Sequence, residues 1–261
     1  MSELKIIGVS KVFFSQAGMI SALSDANLTI KNGEFLCVVG PSGCGKSTFL
    51  NLIAGLVFPD YGEIRLDGET VTGPGPDRVL IFQEPALFPW LTVLDNVSFG
   101  PKMRGMAKAE RTARARELLS MVNLSSFERV WVHELSGGMR QRVALIRALA
   151  LDPDILLMDE PFAALDAQTR DMLHEELELL WQKTGKTIIF ITHNVREAVR
   201  LGTRVVLMSA QDGKFVREYP VNLPRNRQLE DIDLVKIASV IRDDLKKEVQ
   251  KASRQEGHMN A

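Results

Sequence analysis

Gly40-Pro41-Ser42-Gly43-Cys44-Gly45-Lys46-Ser47-Thr48 satisfies the pattern G-x-x-x-x-G-K-[ST]. Glycines at this spacing let backbone N–H groups turn inward around phosphate oxygens. Lys46 brings a positive charge to the outer phosphates, and the Ser47 hydroxyl is a ligand for Mg²⁺. The pattern reads as a nucleoside-triphosphate site and by itself does not separate ATPase, GTPase and kinase. A second chemical pair ends the run "ILLMDEP": Asp159 can hold Mg²⁺ directly or through water, and Glu160 can polarise a water facing the γ-phosphate. A third group lies in "LSGGM", where Ser136, Gly137 and Gly138 open the helical run "RQRVALIRALA". The first N–H groups of a helix lack partners and carry the positive end of its dipole, so this too is an anion site. One chain thus carries two phosphate-binding helix starts far apart in sequence.

These residues need strands and helices to hold them. The apolar runs "FLCVVG" (35–40), "VLIFQ" (79–83), "ILLMD" (155–159), "TIIFIT" (187–192) and "RVVLMS" (204–209) read as buried strands alternating with helices. That alternation predicts an α/β core with a largely parallel sheet. The pair Asp67-Gly68 inside "GEIRLDGETVTG" predicts a hairpin, hence a small antiparallel section. Between about 89 and 152 the strand signal gives way to helix, and this stretch reads as an inserted helical subdomain. In the tail, Leu234, Ile237, Ile241, Leu245 and Val249 fall at helical spacing, and the segment reads either as a packed amphipathic helix or as partly disordered.

Bulk properties narrow the function classes. The 261 residues are 45% hydrophobic and 25% charged, the profile of an ordinary globular protein. A net charge of -1 gives no electrostatic case for nucleic acid as a partner. The two cysteines, Cys37 and Cys44, suggest no disulfide framework and fit a reducing cytoplasm. The first residues hold no apolar core of the signal-peptide kind, and no apolar run reaches the ~18 residues of a membrane span. Cys44, beside Lys46 and a helix start, is expected to favour the thiolate.

Taken together, the motifs resemble the ATPase subunit of ABC transporters, a P-loop NTPase with a parallel-sheet core, a small antiparallel β section and a helical subdomain. The resemblance spans about residues 1–225, with 226–261 as a C-terminal helical tail, and its most specific element is "LSGGM", similar to the family signature. It implies that two such subunits pair head to tail and trap ATP with Mg²⁺, each nucleotide lying on one phosphate loop and under the other subunit's signature. That would explain two anion sites in one chain. Residue by residue, the resemblance makes Glu160 the general base and His193 the switch contact to the γ-phosphate. It gives Gln83 to Mg²⁺ and the attacking water, and Asp166 to the loop that meets its twin. It makes Phe13 the aromatic that stacks on adenine, with Phe14 a close rival. Met139 stands where the family usually has glutamine.

"FQEPALFPWLTVLDNVSFG", "HELSGGMRQRVALIRAL" and "DEPFAALDAQTR" look like the importer ATPases for nitrate, aliphatic sulfonate and taurine. This implies an integral membrane permease as partner, a solute-binding protein as an indirect one, and a peripheral position on the cytoplasmic face of the inner membrane. In that family the region of "PALFPWLTV" lines a groove for a short permease helix, so Leu87 or Trp90 is expected to be partly exposed and Phe88 to be core. An exporter ATPase shares the core motifs and stays open. A soluble DNA-repair ATPase would insert long coiled coils between Ser47 and Leu135, and that stretch is too short. A small-molecule kinase has no need of "LSGG".

Overall fold

Ten strands and seven α-helices form among residues 3–15, 18–210 and 212–259, which the computed structural model describes. In order they are β1 (Leu4–Ser15), β2 (Gly18–Ile30), β3 (Phe35–Val39), α1 (Lys46–Ile53), β4 (Tyr61–Leu66), β5 (Glu69–Thr70) and β6 (Arg78–Ile81). Next come α2 (Val93–Met103), α3 (Lys108–Met121), α4 (Gly137–Leu149), β7 (Ile155–Asp159) and α5 (Ala167–Thr184). The chain continues through β8 (Thr187–Ile191), α6 (Val195–Leu201), β9 (Arg204–Met208), β10 (Phe215–Pro220) and α7 (Ile232–Met259). They divide into two compact units, residues 1–75 with 185–261, and residues 76–184.

In the first unit β3 pairs in parallel with both β8 and β9, while β10 closes that edge antiparallel to β9. All five residues of β3 and of β8 are buried, as both faces of a central parallel strand must be. A second sheet, in the order β2-β1-β4-β5, is antiparallel. The expected hairpin is β4–β5. Its turn residues Asp67 and Gly68 have φ of 53° and 87°, the left-handed pair that a two-residue turn between twisted strands needs.

The antiparallel part is larger than the sequence suggests, because β1 and β2 span 12 and 13 residues. Their alternation is broken by register shifts at Ile6/Val9, Val9/Lys11 and Lys11/Val12, which hide a period of two.

The tail is the helix α7, seated on the first unit by buried Leu234, Ala238 and Ile241. Its far end turns differently from the expected stripe. Val249 is exposed, and Glu248 is buried instead, accepting hydrogen bonds from Ser209 Oγ (3.1 Å) and Lys251 Nζ (2.5 Å).

In the second unit β6 and β7 run parallel. The helical part packs Val97 of α2, Leu119 of α3, and Val143 and Ile146 of α4 into one apolar cluster. Thr92 caps α2, its side chain accepting from Asp95 N–H at 3.2 Å. Asn96, fully buried, accepts from Phe88 N–H (2.9 Å) and donates to the Phe88 (3.1 Å) and Thr92 (3.0 Å) carbonyls. One side chain thereby fixes the proline-interrupted segment before α2, whose own backbone forms no regular element.

Candidate active site

Within the first unit the phosphate loop joins β3 to α1. Gly45 precedes α1 with φ 99°, and a Cβ there would sit 2.2 Å from the Ala22 carbonyl oxygen, so only glycine fits. Lys46 is 7% exposed, and its Nζ donates to the Gly40 (2.9 Å) and Pro41 (2.8 Å) carbonyls. The ammonium is thus anchored inside the loop's own curve. Ser42, Gly43 and Ser47 are exposed, while Pro41, Gly45 and Thr48 are half-buried.

Cys44 departs from expectation. It is 3% exposed, and burial pushes its thiol pKa up, outweighing the downward pull of Lys46, whose Nζ lies 3.9 Å from Sγ. Proximity to a cation is not enough when the charged form must be desolvated. A maleimide is therefore expected to label Cys44 in the folded protein far more slowly than a free cysteine, with fast labelling appearing in denaturant. Equal rates in the two states, followed by mass spectrometry, would contradict this burial.

Phe13 and Phe14 lie on opposite faces of β1, paired across β2 with Ile20 and Met19 respectively. Phe13 is 40% exposed with Lys11 Nζ 5.4 Å over its ring, whereas Phe14 is 85% exposed. His193 follows β8 and is exposed. Its neighbours are fixed: the Thr192 hydroxyl donates to the Glu197 carboxylate, and Asn194 caps α6 by accepting from Arg196 N–H at 3.0 Å.

The second unit carries the acidic pair. Asp159 ends β7 and is half-buried. Glu160 has φ 46°, a left-handed conformation that a side chain rarely adopts and that is found preferentially at functional sites. Gln83 is exposed in a bend, since β6 stops at Ile81 rather than at the glutamine. Ser136 caps α4, accepting from Met139 N–H at 3.3 Å. Gly138 is buried, and a Cβ there would lie 2.5 Å from Thr169 Cγ2, so this glycine also serves packing against α5. Asp166 accepts from Thr169 N–H (2.9 Å) and Thr169 Oγ1 (2.7 Å), capping α5, and these bonds lower its carboxyl pKa.

Sequence reasoning missed Arg170, which donates to the Phe162 (3.3 Å) and Leu165 (2.7 Å) carbonyls and so holds the loop after Glu160. It also missed Arg147. This guanidinium donates to the Ala86 (2.8 Å) and Pro85 (3.1 Å) carbonyls and lies 5.3 Å over the Phe88 ring; burial lowers its pKa. These contacts form one wall of a cavity of about 300 Å³, which Phe82, Phe99 and Leu151 also line. Phe88, expected in the core, is half-buried on this wall, and its ring meets Phe99 at 4.5 Å and Trp90 at 5.6 Å. Trp90 is 68% exposed, while Leu87 packs partly against the helical core.

The metal-ligand candidates Ser47, Gln83 and Asp159 offer a hydroxyl, an amide and a carboxylate, all hard oxygen donors. Among the described residues no group of three His, Cys, Asp or Glu side chains could hold an ion alone. Hydroxyl, amide and carboxylate oxygens are donor types that suit Mg²⁺, which keeps waters and takes substrate phosphates as further ligands.

Comparison with known proteins identifies the family. The ABC transporter family model matches residues 23–163. A nitrate import ATP-binding protein of Synechocystis sp. is 48% identical over 226 residues, 87% of this chain and 85% of that protein. A taurine import ATP-binding protein of Pseudomonas aeruginosa is 48% identical over 225 residues, 86% of each chain. A dimeric ATP-binding cassette solved in a post-hydrolysis state with ADP and Pi is 36% identical with a TM-score of 0.74, covering 85% of this chain and 100% of that one.

Proposed function

The chain belongs to the ABC transporter family as an ATPase coupled to transport, and from that premise we propose that it drives uptake of a small solute, such as nitrate, a sulfonate or taurine, through a separate permease. The observation that carries this reading is the 48% identity to nitrate and taurine import ATP-binding proteins over most of the chain.

In this reading the phosphate loop, Gly40 to Thr48, wraps the triphosphate with inward N–H groups, and Lys46 compensates the outer phosphate charge. Ser47, Gln83 and Asp159 would hold Mg²⁺, which would supply charge neutralisation at the phosphates. Glu160 accepts a proton from the attacking water. His193 donates to the γ-phosphate, favouring the state in which its charge grows. Phe13 stacks on adenine. The N–H groups of Gly137 and Gly138 and the Ser136 hydroxyl meet the γ-phosphate on a second copy's loop, and Asp166 lies where the two copies meet. ATP closes the head-to-tail pair and hydrolysis reopens it.

No helix among the described residues is long and apolar enough to cross a membrane. Coupling therefore needs a docking surface, and we assign it to the groove walled by Phe88, Phe99 and Arg147, with Trp90 at its exposed margin. An apolar groove with aromatic anchors suits a short permease helix. The subunit then sits on the cytoplasmic face of the membrane. Proteoliposomes holding the chain and its permease, with the solute-binding protein outside, are expected to take up labelled nitrate, sulfonate or taurine only with ATP inside. ATP hydrolysis without uptake of any of the three solutes would overturn the solute assignment.

A further inference from the structure

The antiparallel sheet of the first unit contains a clamp that the reaction scheme does not use. β4 begins at Tyr61, opposite Ser10, so β1 runs on beyond the end of its partner strand. There the backbone is irregular: β2 advances from Ala26 to Leu23 while β1 moves from Val9 to Lys11, and from Leu23 to Ser21 while β1 moves from Lys11 to Val12. Each step inserts an extra residue on β2, a bulge that re-aims the side chains following it. Phe13 is the next residue on β1.

Asp60 takes the place of the missing strand. Its N–H donates to the Ser10 carbonyl at 2.9 Å, its Oδ2 accepts from Val12 N–H at 2.7 Å, and its Oδ1 accepts from Lys11 Nζ at 2.8 Å. These bonds hold the Asp60 carboxyl below the usual carboxylate range, with the Lys11 bond the largest cause. The Lys11 side chain, 16% exposed, lies flat enough to place Nζ 5.4 Å above the centre of the Phe13 ring, within reach of a cation–π contact. Ser10 Oγ, accepting from Asp25 N–H at 2.9 Å, pins the β2 side of the same bulge.

We infer that Asp60, acting through Lys11 and the Val12 N–H, is the positioning residue that sets Phe13, rather than Phe14, as the platform for the nucleotide base. The inference rests on the reading of Phe13 as the adenine-stacking residue. It follows from geometry: one carboxylate fixes the backbone on one side of Phe13 and the cation over its ring. Phe14, 85% exposed on the opposite face of β1, has no such support among the contacts described. Phe13 keeps 40% of its surface open, enough for a base to stack. A platform held in one orientation loses less entropy when the base arrives, and that difference appears as affinity.

The test compares two probes, Mg-ATP and inorganic tripolyphosphate with Mg²⁺, which differ in the base and ribose. Base–aromatic stacking is worth about 1–3 kcal/mol by alanine substitution, so Phe13→Ala is expected to raise the Kd for ATP at least about fivefold. Asp60→Ala is expected to raise it about three- to tenfold and to leave the tripolyphosphate Kd unchanged, which a general loss of fold would not do. The double variant is expected to be no weaker than Phe13→Ala alone, since the clamp acts only through that ring. Lys11→Met, which keeps the apolar stem, repeats the measurement should Asp60→Ala fail to fold. If Phe13→Ala weakens ATP binding while Asp60→Ala and Lys11→Met do not, the clamp is overturned and the platform stands. If Phe13→Ala has no effect, the platform reading itself falls, and the clamp with it.

Discussion

Replacing Glu160 with glutamine is expected to leave ATP binding intact and to lower hydrolysis by roughly 10²- to 10⁴-fold, the usual worth of a general base. The amide keeps the size and hydrogen-bonding reach of the carboxylate and loses its ability to take a proton. The local structure favours a clean result. Glu160 already sits at φ 46°, where the backbone is held by its surroundings rather than by its own preference. The loop after it is tied by Arg170 to the Phe162 and Leu165 carbonyls and ends in the Asp166 cap, and none of these contacts needs the Glu160 charge. The ATP Kd and steady-state phosphate release, measured on one preparation, decide the matter. Near-normal turnover would remove Glu160 from the role of base.

The second large effect concerns coupling. Trp90→Asp is expected to abolish solute uptake and weaken co-purification with the permease while ATP binding by the isolated subunit stays unchanged. Trp90 is 68% exposed, so a charge there costs the isolated fold little. At an interface the same charge is desolvated against apolar surface, and aromatic anchors of this kind commonly carry about 2 kcal/mol or more of binding energy. Phe88 is the poorer target, because its ring packs on Phe99 and under Arg147 and its loss would collapse the groove wall. Leu87, packed partly on the helical core, would confuse docking with folding. Uptake by reconstituted transporter and ATP binding by the subunit are the paired readouts. A folded variant that still drives uptake would move the docking surface elsewhere.

The parallel strands were legible because burial on both faces leaves continuous apolar runs, as in "FLCVV" and "TIIFI". The Asp67-Gly68 turn was legible because few residue pairs accept two successive positive φ angles. The length of β1 and β2 was not, since their bulges break the alternation that announces a half-buried strand. The face of α7 was misjudged at its end because Glu248, a charged residue, is buried through partners 39 residues back and 3 residues ahead.

For the candidate site the order of visibility is similar. The phosphate loop is contiguous, so its spacing is its signature. Asp60 and Lys11 are 49 residues apart and meet only through sheet pairing, which spacing cannot reveal. Arg147 and Arg170 act through backbone carbonyls, contacts that leave no mark in the type of residue they touch. Cys44 shows the opposite case, where the sequence neighbours were read correctly and burial reversed the outcome.

In the proposed cycle ATP is trapped between the phosphate loop of one copy and the signature helix of another. The decisive measurement is the mass, by analytical ultracentrifugation, of the Glu160→Gln protein in solution with saturating Mg-ATP, beside the same protein carrying Ser136→Arg. An ATP-dependent dimer is expected for the first. A monomer that still binds ATP is expected for the second, because a large cation at the α4 cap blocks the signature and leaves the phosphate loop untouched. A Glu160→Gln protein that binds ATP yet stays monomeric, or a Ser136→Arg variant that dimerises equally well, would contradict the proposed cycle.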